Sequence, residues 1–195
     1  HGRDLTMDVV RPAKPNGLGV ALMVSGGWKS GPGSFRPWMV APLLRRGYTV
    51  FAVSHISQPE ATIMEITADV NRAVRYIRHS AREYGIDPER LGVTGGSAGG
   101  HLSLMLATRG GPGPAGDVDP VDRESSAVQA VASTYYDGNA PVGSARASGW
   151  TGSGVTVAIL DCGGQYTKVI DRKVRELGVR SEIFPLDVAP ETLAG

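Results

Sequence analysis

Gly95-Gly96-Ser97-Ala98-Gly99 sets a serine between glycines at the spacing G-x-S-x-G. A serine hydroxyl attacks only when the backbone lifts it clear of its neighbours and a base takes its proton. A strand-like run, Arg90–Gly96, precedes this serine, and a helix-like run, Ala98–Thr108, follows it. A sharp strand-to-helix turn leaves no room for side chains at the flanking positions, which glycine satisfies. Such a turn raises the Ser97 hydroxyl above a sheet. It also aims the next backbone N–H, that of Ala98, at an oxygen that gains charge during attack. The same residues also fit a plain glycine turn entering a helix, whose first amides suit a phosphate. A second donor to the oxyanion belongs on the loop after an earlier central strand. The stretch "VSGGW" (Val24–Trp28) sits there, and the amides of Gly26 and Gly27 can approach a bound oxygen because no side chain intervenes.

The serine needs a base, and the base needs an acid to orient it. The chain holds four histidines, His1, His55, His79 and His101, and none follows position 101. His101 lies four residues into the helix that begins at the elbow, so it points along the helix rather than over Ser97 and reads as a packed or capping residue. His79 sits late in a long helix and is expected to be solvated, and His1 is terminal. His55 follows a strand near the carboxyl edge of the sheet and can line a pocket, but not at the usual position of a base. The base is therefore unassigned, with His55 the remaining candidate. Two acids follow strands, Asp161 after Val155–Leu160 and Asp137 after Ala127–Tyr136; each is a candidate acid and each also fits an ordinary turn residue.

The elements that must carry these residues are legible in the periodicity. Strand-like runs occur at Leu5–Val10, Gly17–Trp28, Tyr48–Ser54, Arg90–Gly96, Ala127–Tyr136, Val155–Leu160 and Val179–Phe184. Helix-like runs occur at Phe35–Arg46, Thr62–Tyr84, Ala98–Thr108 and Thr167–Leu177; in the longest, Ile63, Ile66, Val70, Ala73, Val74, Ile77 and Ala81 share one face. Strands alternate with helices, which predicts an α/β fold: a three-layer αβα sandwich around a mostly parallel sheet. Gly110–Pro120 reads as a loop, and Gly138–Gly154 as a linker without period.

Composition narrows the classes. The chain of 195 residues is 41% hydrophobic and 20% charged, enough for a buried core in one domain or slightly more. A net charge of +1 gives no reason to expect a nucleic-acid partner or an acidic membrane surface. The longest apolar runs are strand-sized, far short of the roughly 20 residues of a membrane span. No signal peptide is visible, although the chain opens on His1 rather than Met. A single cysteine, Cys162, excludes an internal disulfide and reads as a small buried or half-buried thiol; a reducing cytoplasm is slightly favoured. No metal or cofactor motif is present, and none is expected.

Residues from about Leu5 to Tyr136 resemble the α/β-hydrolase fold in its esterase/lipase branch, which includes acetyl-xylan and feruloyl esterase-like proteins. "SGGW" resembles that branch's H-G-G-x-W loop, with Ser25 where the histidine usually stands, and "YGIDPERLGVTGGSAGGHLS" resembles its elbow region. The resemblance implies Ser97 as nucleophile, Gly26, Gly27 and Ala98 at the oxyanion hole, a small-molecule carboxylic ester as substrate, and no cofactor. "VAILDCGGQYTKVIDRKVRELGVRSEIFPLD" is similar instead to the start of the class I glutamine amidotransferase domain of GMP synthetase. That family's catalytic cysteine lies in a later elbow, which this stretch does not reach. The expected organisation is a truncated hydrolase core at 1–137, a linker at 138–154, and a β-α-β fragment at 155–195. That fragment is expected to pair beside Ala127–Tyr136 and stand in for the hydrolase's last strands.

Overall fold

The computed structural model describes residues 5–31, 33–134, 156–161, 172 and 180–185. The strands are β1 (Met7–Val10), β2 (Gly19–Met23), β3 (Thr49–Val53), β4 (Leu91–Gly96), β5 (Ala130–Thr134), β6 (Thr156–Asp161) and β7 (Arg180–Pro185). They form one sheet in the order β1-β3-β2-β4-β5-β6-β7. β1 runs antiparallel to β3, and every other pair is parallel.

Side chains alternate across the sheet, as the pleat requires. Met23, Phe51, Val53 and Val93 face α2 (Ile63–His79) and α4 (Ala98–Arg109), where Ile66, Val70, Val74, Leu102 and Leu106 complete a buried cluster. Leu22, Val50 and Ala52 face the other way and pack with Val40, Phe35, Leu43 and Leu44. Helices on both faces make the three layers that the alternation of elements predicts.

Local chemistry explains where elements start and stop. Thr62 caps α2 with its hydroxyl on the Glu65 N–H, while the Glu65 carboxylate returns to the Thr62 N–H at 2.7 Å. This reciprocal box satisfies two amides that the first turn cannot. The helix expected over Thr62–Tyr84 is broken at Ser80, after which α3 (Ala81–Tyr84) ends at Gly85 in the left-handed conformation, φ 68°. The helix expected over Phe35–Arg46 is also shorter. Pro37 starts a 3-10 turn (Pro37–Val40) and Pro42 lies at the start of α1 (Ala41–Arg45), because a proline without N–H fits a first turn and not an interior. The stretch read as a loop runs into a fifth helix, α5 (Pro120–Arg123), capped by the Asp119 carboxylate on the Val121 N–H.

The segment similar to GMP synthetase adds to the sheet. β5 pairs with β6 through Ala132–Ala158 and Ser133–Ile159, and β6 pairs with β7 from Thr156–Arg180 to Asp161–Pro185. Without it β5 would present an open edge. The expected linker at 138–154, Cys162 and the candidate acid Asp137 lie outside the described residues, as does the helix expected over Thr167–Leu177 apart from Arg172, which is helical.

Candidate active site

β4 delivers its last glycine directly to Ser97, whose backbone stands at φ 53° and ψ −120°. A non-glycine residue in that region is strained by about 1–3 kcal/mol and stays only where its surroundings hold it. Those surroundings are glycine. A Cβ added at Gly95 would lie 2.5 Å from the Gly99 carbonyl oxygen and 3.0 Å from the Gly100 nitrogen, and one at Gly99 would strike the Met23 carbonyl oxygen. The first turn of α4 therefore rests directly on β4 and β2. Ser97 is exposed at the top of this turn, and among the described residues nothing hydrogen-bonds its hydroxyl.

Ala98 opens α4, so its N–H has no acceptor within the helix and lies one residue from the hydroxyl. The Gly99 N–H binds the Ser25 carbonyl at 3.3 Å and fastens the elbow to the loop after β2. That loop turns tightly at Gly27 and Trp28, φ 56° and 57°. The turn is closed by Gly26 N–H to Lys29 O and by Lys29 N–H to Gly26 O, both at 3.0 Å. The Gly26 amide is thus taken within the turn, while the Gly27 amide has no acceptor among the described residues. Trp28 reaches across to α4, where its ring meets His101 edge-on at 5.9 Å between centroids. The His101 ring touches solvent, yet the packing around it pushes its pKa below the ordinary value. It lies one helical turn past Ser97 and packs on Trp28 of the Gly26–Lys29 turn, as its position on the helix suggests.

The remaining candidates do not gather at the serine. His55 follows β3, and β2 lies between β3 and β4, so two strand spacings, about 10 Å, separate the two strand ends. Its Nδ1 donates to the Ile56 carbonyl at 2.7 Å, and the side chain is buried, 5% exposed. Asp161 ends β6. The ladders place Gly96 beside Thr134 and Ser133 beside Ile159, so the Asp161 backbone stands at the level of Ser97, two strands across the sheet.

Two further residues matter here and found no place in the sequence reading. Asp69 is buried on α2, 8% exposed, and burial raises its pKa against the opposing pull of the Ile56 N–H and of His55. The signal for it was present: a carboxylate three residues after Ile66 and four before Ala73 sits on the apolar face. Ser57 bonds Ser30 twice across 27 residues of chain, and nothing in local sequence marks such a pair.

The BD-FAE family model matches residues 7–140. The probable carboxylic ester hydrolase LipM of Mycobacterium tuberculosis is 33% identical over 113 residues, covering 55% of this chain and 26% of that protein. The probable glutamine-hydrolysing GMP synthase of Caenorhabditis elegans is 63% identical over 41 residues, 21% of this chain and 6% of that protein. The chain thus spans about a quarter of the one relative's length and far less of the other's. Among solved structures, the acetyl ester-xyloside bifunctional hydrolase of Caldicellulosiruptor lactoaceticus superposes with a TM-score of 0.69 at 19% identity, covering 97% of this chain and 79% of its own. That likeness establishes the α/β-hydrolase fold. Both resemblances found in the sequence are present.

Proposed function

The chain belongs to the BD-FAE family, and on that premise we propose that it is by lineage a serine hydrolase of small carboxylic esters whose machinery is impaired. Ser97 is the nucleophile: its Oγ adds to the ester carbonyl, the carbonyl oxygen becomes the oxyanion, and the alcohol leaves to give an acyl-serine that water then hydrolyses. The oxyanion sits between the Ala98 and Gly27 amides; the Gly26 amide, bound to Lys29, shapes the turn instead. Attack releases the hydroxyl proton, and this is where the reading predicts impairment. No histidine follows position 101 within these residues, so solvent water takes that proton. Asp161, at the level of the serine, has the place of an acid but no imidazole to orient.

The observation that carries this reading is the strained Ser97 turn with an uncommitted amide beside it. In such sites, losing the base lowers turnover by about 10⁴–10⁶, while the oxyanion hole and binding alone leave roughly 10³–10⁴ over water. p-Nitrophenyl acetate turnover compared with Ser97→Ala tests it: a small rate that the substitution abolishes is expected. A turnover number near 10 s⁻¹, an ordinary enzyme value, would mean that a base is present, with His55 the first suspect. A second reading, a hydrolase-derived chain that turns nothing over, is favoured by the same missing imidazole; identical rates in both proteins would establish it. In either case β6 and β7 extend the sheet, and the segment that carries them works as a structural edge rather than as a glutaminase.

A further inference from the structure

The turn that carries the Gly27 amide is held from outside by the segment Ser54–Gln58, between β3 and α2. The Ser57 hydroxyl accepts from the Ser30 N–H and donates to the Ser30 carbonyl, both at 2.9 Å. The Gln58 N–H donates to the Trp28 carbonyl at 3.0 Å. One residue earlier the segment turns inward: the buried His55 side chain donates from Nδ1 to the Ile56 carbonyl at 2.7 Å, and burial raises the Asp69 pKa while the Ile56 N–H and His55 both pull it down. His55 and Asp69 are 5% and 8% exposed, so both side chains lie in the packed interior. Trp28 at φ 57° is a non-glycine residue in a left-handed turn, which persists only where neighbours over-determine it.

We propose that Ser57 is a positioning residue for the oxyanion hole: its hydroxyl clips Ser30 to the segment that the buried His55 seats in the interior, and so fixes where the Gly27 N–H points. It touches no reacting atom and acts through the turn. The proposal rests on the reading of Ser97 and Gly27 as the reacting site. A displacement near 1 Å in such a site costs about 100-fold; losing one of the clips while Gln58 still holds Trp28 lowers the rate about 10-fold.

The test compares Ser57→Ala with Ser57→Thr, which keeps a hydroxyl, in the full chain. Two measurements are made: Ser97-dependent p-nitrophenyl acetate hydrolysis with imidazole added, and amide hydrogen exchange at Gly26, Lys29 and Ser30. Ser57→Ala is expected to speed exchange at these amides about 10-fold and to lower kcat about 10-fold at unchanged KM, with Ser57→Thr restoring both. Unchanged exchange in Ser57→Ala, or equal losses in the two variants, overturns the proposal. If the unsubstituted chain shows no Ser97-dependent rate, the hydrolase reading fails by itself, and the exchange comparison still decides whether Ser57 holds the turn.

Discussion

Replacing Gly95 by alanine adds one methyl group where β4 meets the first turn of α4. The added Cβ would stand 2.5 Å from the Gly99 carbonyl oxygen, whereas ordinary contact begins at 3.4 Å, so helix and strand must separate by about 1 Å. The obstacle is main chain on a helix that itself rests on the Met23 carbonyl, so no side chain can rotate away. Overpacking of this kind costs about 2–3 kcal/mol, and in a chain of this size each kcal/mol lowers Tm by roughly 2–4 °C. Gly95→Ala should therefore lose roughly 4–12 °C in a thermal melt followed by circular dichroism. It should also lose the Ser97-dependent rate, because the Ala98 amide moves with the helix. Gly116→Ala is the control: a Cβ there meets nothing within 4 Å, and the change should stay within about 0.5 kcal/mol. If Gly95→Ala melts with the unsubstituted chain, the elbow is not packed main chain on main chain, and the account of why glycine stands there is wrong.

The strain at Ser97 makes a second prediction. Glycine adopts φ 53°, ψ −120° without the steric penalty, so Ser97→Gly should raise stability by about 1 kcal/mol after the entropy of the added glycine is subtracted; a loss in urea unfolding would contradict the strained turn. Asp69 makes a third. Its folded pKa is raised by burial, so the native state holds that proton more tightly than the unfolded chain does. Its contribution is then greatest below its unfolded value of about 4 and is lost as pH rises through the folded pKa. Asp69→Asn, which keeps an acceptor for the Ile56 N–H, should melt higher than the unsubstituted chain at pH 7, with the gap closing toward pH 3. A gap that does not change with pH would contradict the burial argument.

How far the sequence could be read depends on the range of the interaction. The parallel sheet was legible because alternation of strands and amphipathic helices is a pattern within each element. The elbow was legible because a steric demand at Gly95 and Gly99 writes itself into residue type at fixed spacing. The docking of β6 beside β5 followed from an apolar edge needing cover. Element ends were misjudged where one residue changed local options: Pro37 and Pro42 shortened the helix after the Gly26–Gly27 turn, and Ser80 broke the long one. Which of the Gly26 and Gly27 amides is committed within the turn was invisible, since it depends on which amide the turn closes upon itself. The Ser57–Ser30 clip was invisible for a different reason: it joins two loops far apart in sequence through hydroxyl and main chain, and neither leaves a periodic trace.

The central claim is that Ser97 and its oxyanion donors stand ready and that only the base is missing. Free imidazole, added up to about 0.5 M near pH 7.5, can take the proton that on this proposal no side chain receives. A positioned general base contributes about 10²–10⁴, and a diffusing one should recover a part of that, about 10-fold. The measurement is the difference in p-nitrophenyl acetate hydrolysis between the unsubstituted chain and Ser97→Ala as imidazole is raised, which cancels the reaction of imidazole with the ester itself. The account predicts a difference that grows linearly with neutral imidazole. A difference that stays at zero throughout would contradict it, and a large difference already present without imidazole would contradict it from the other side.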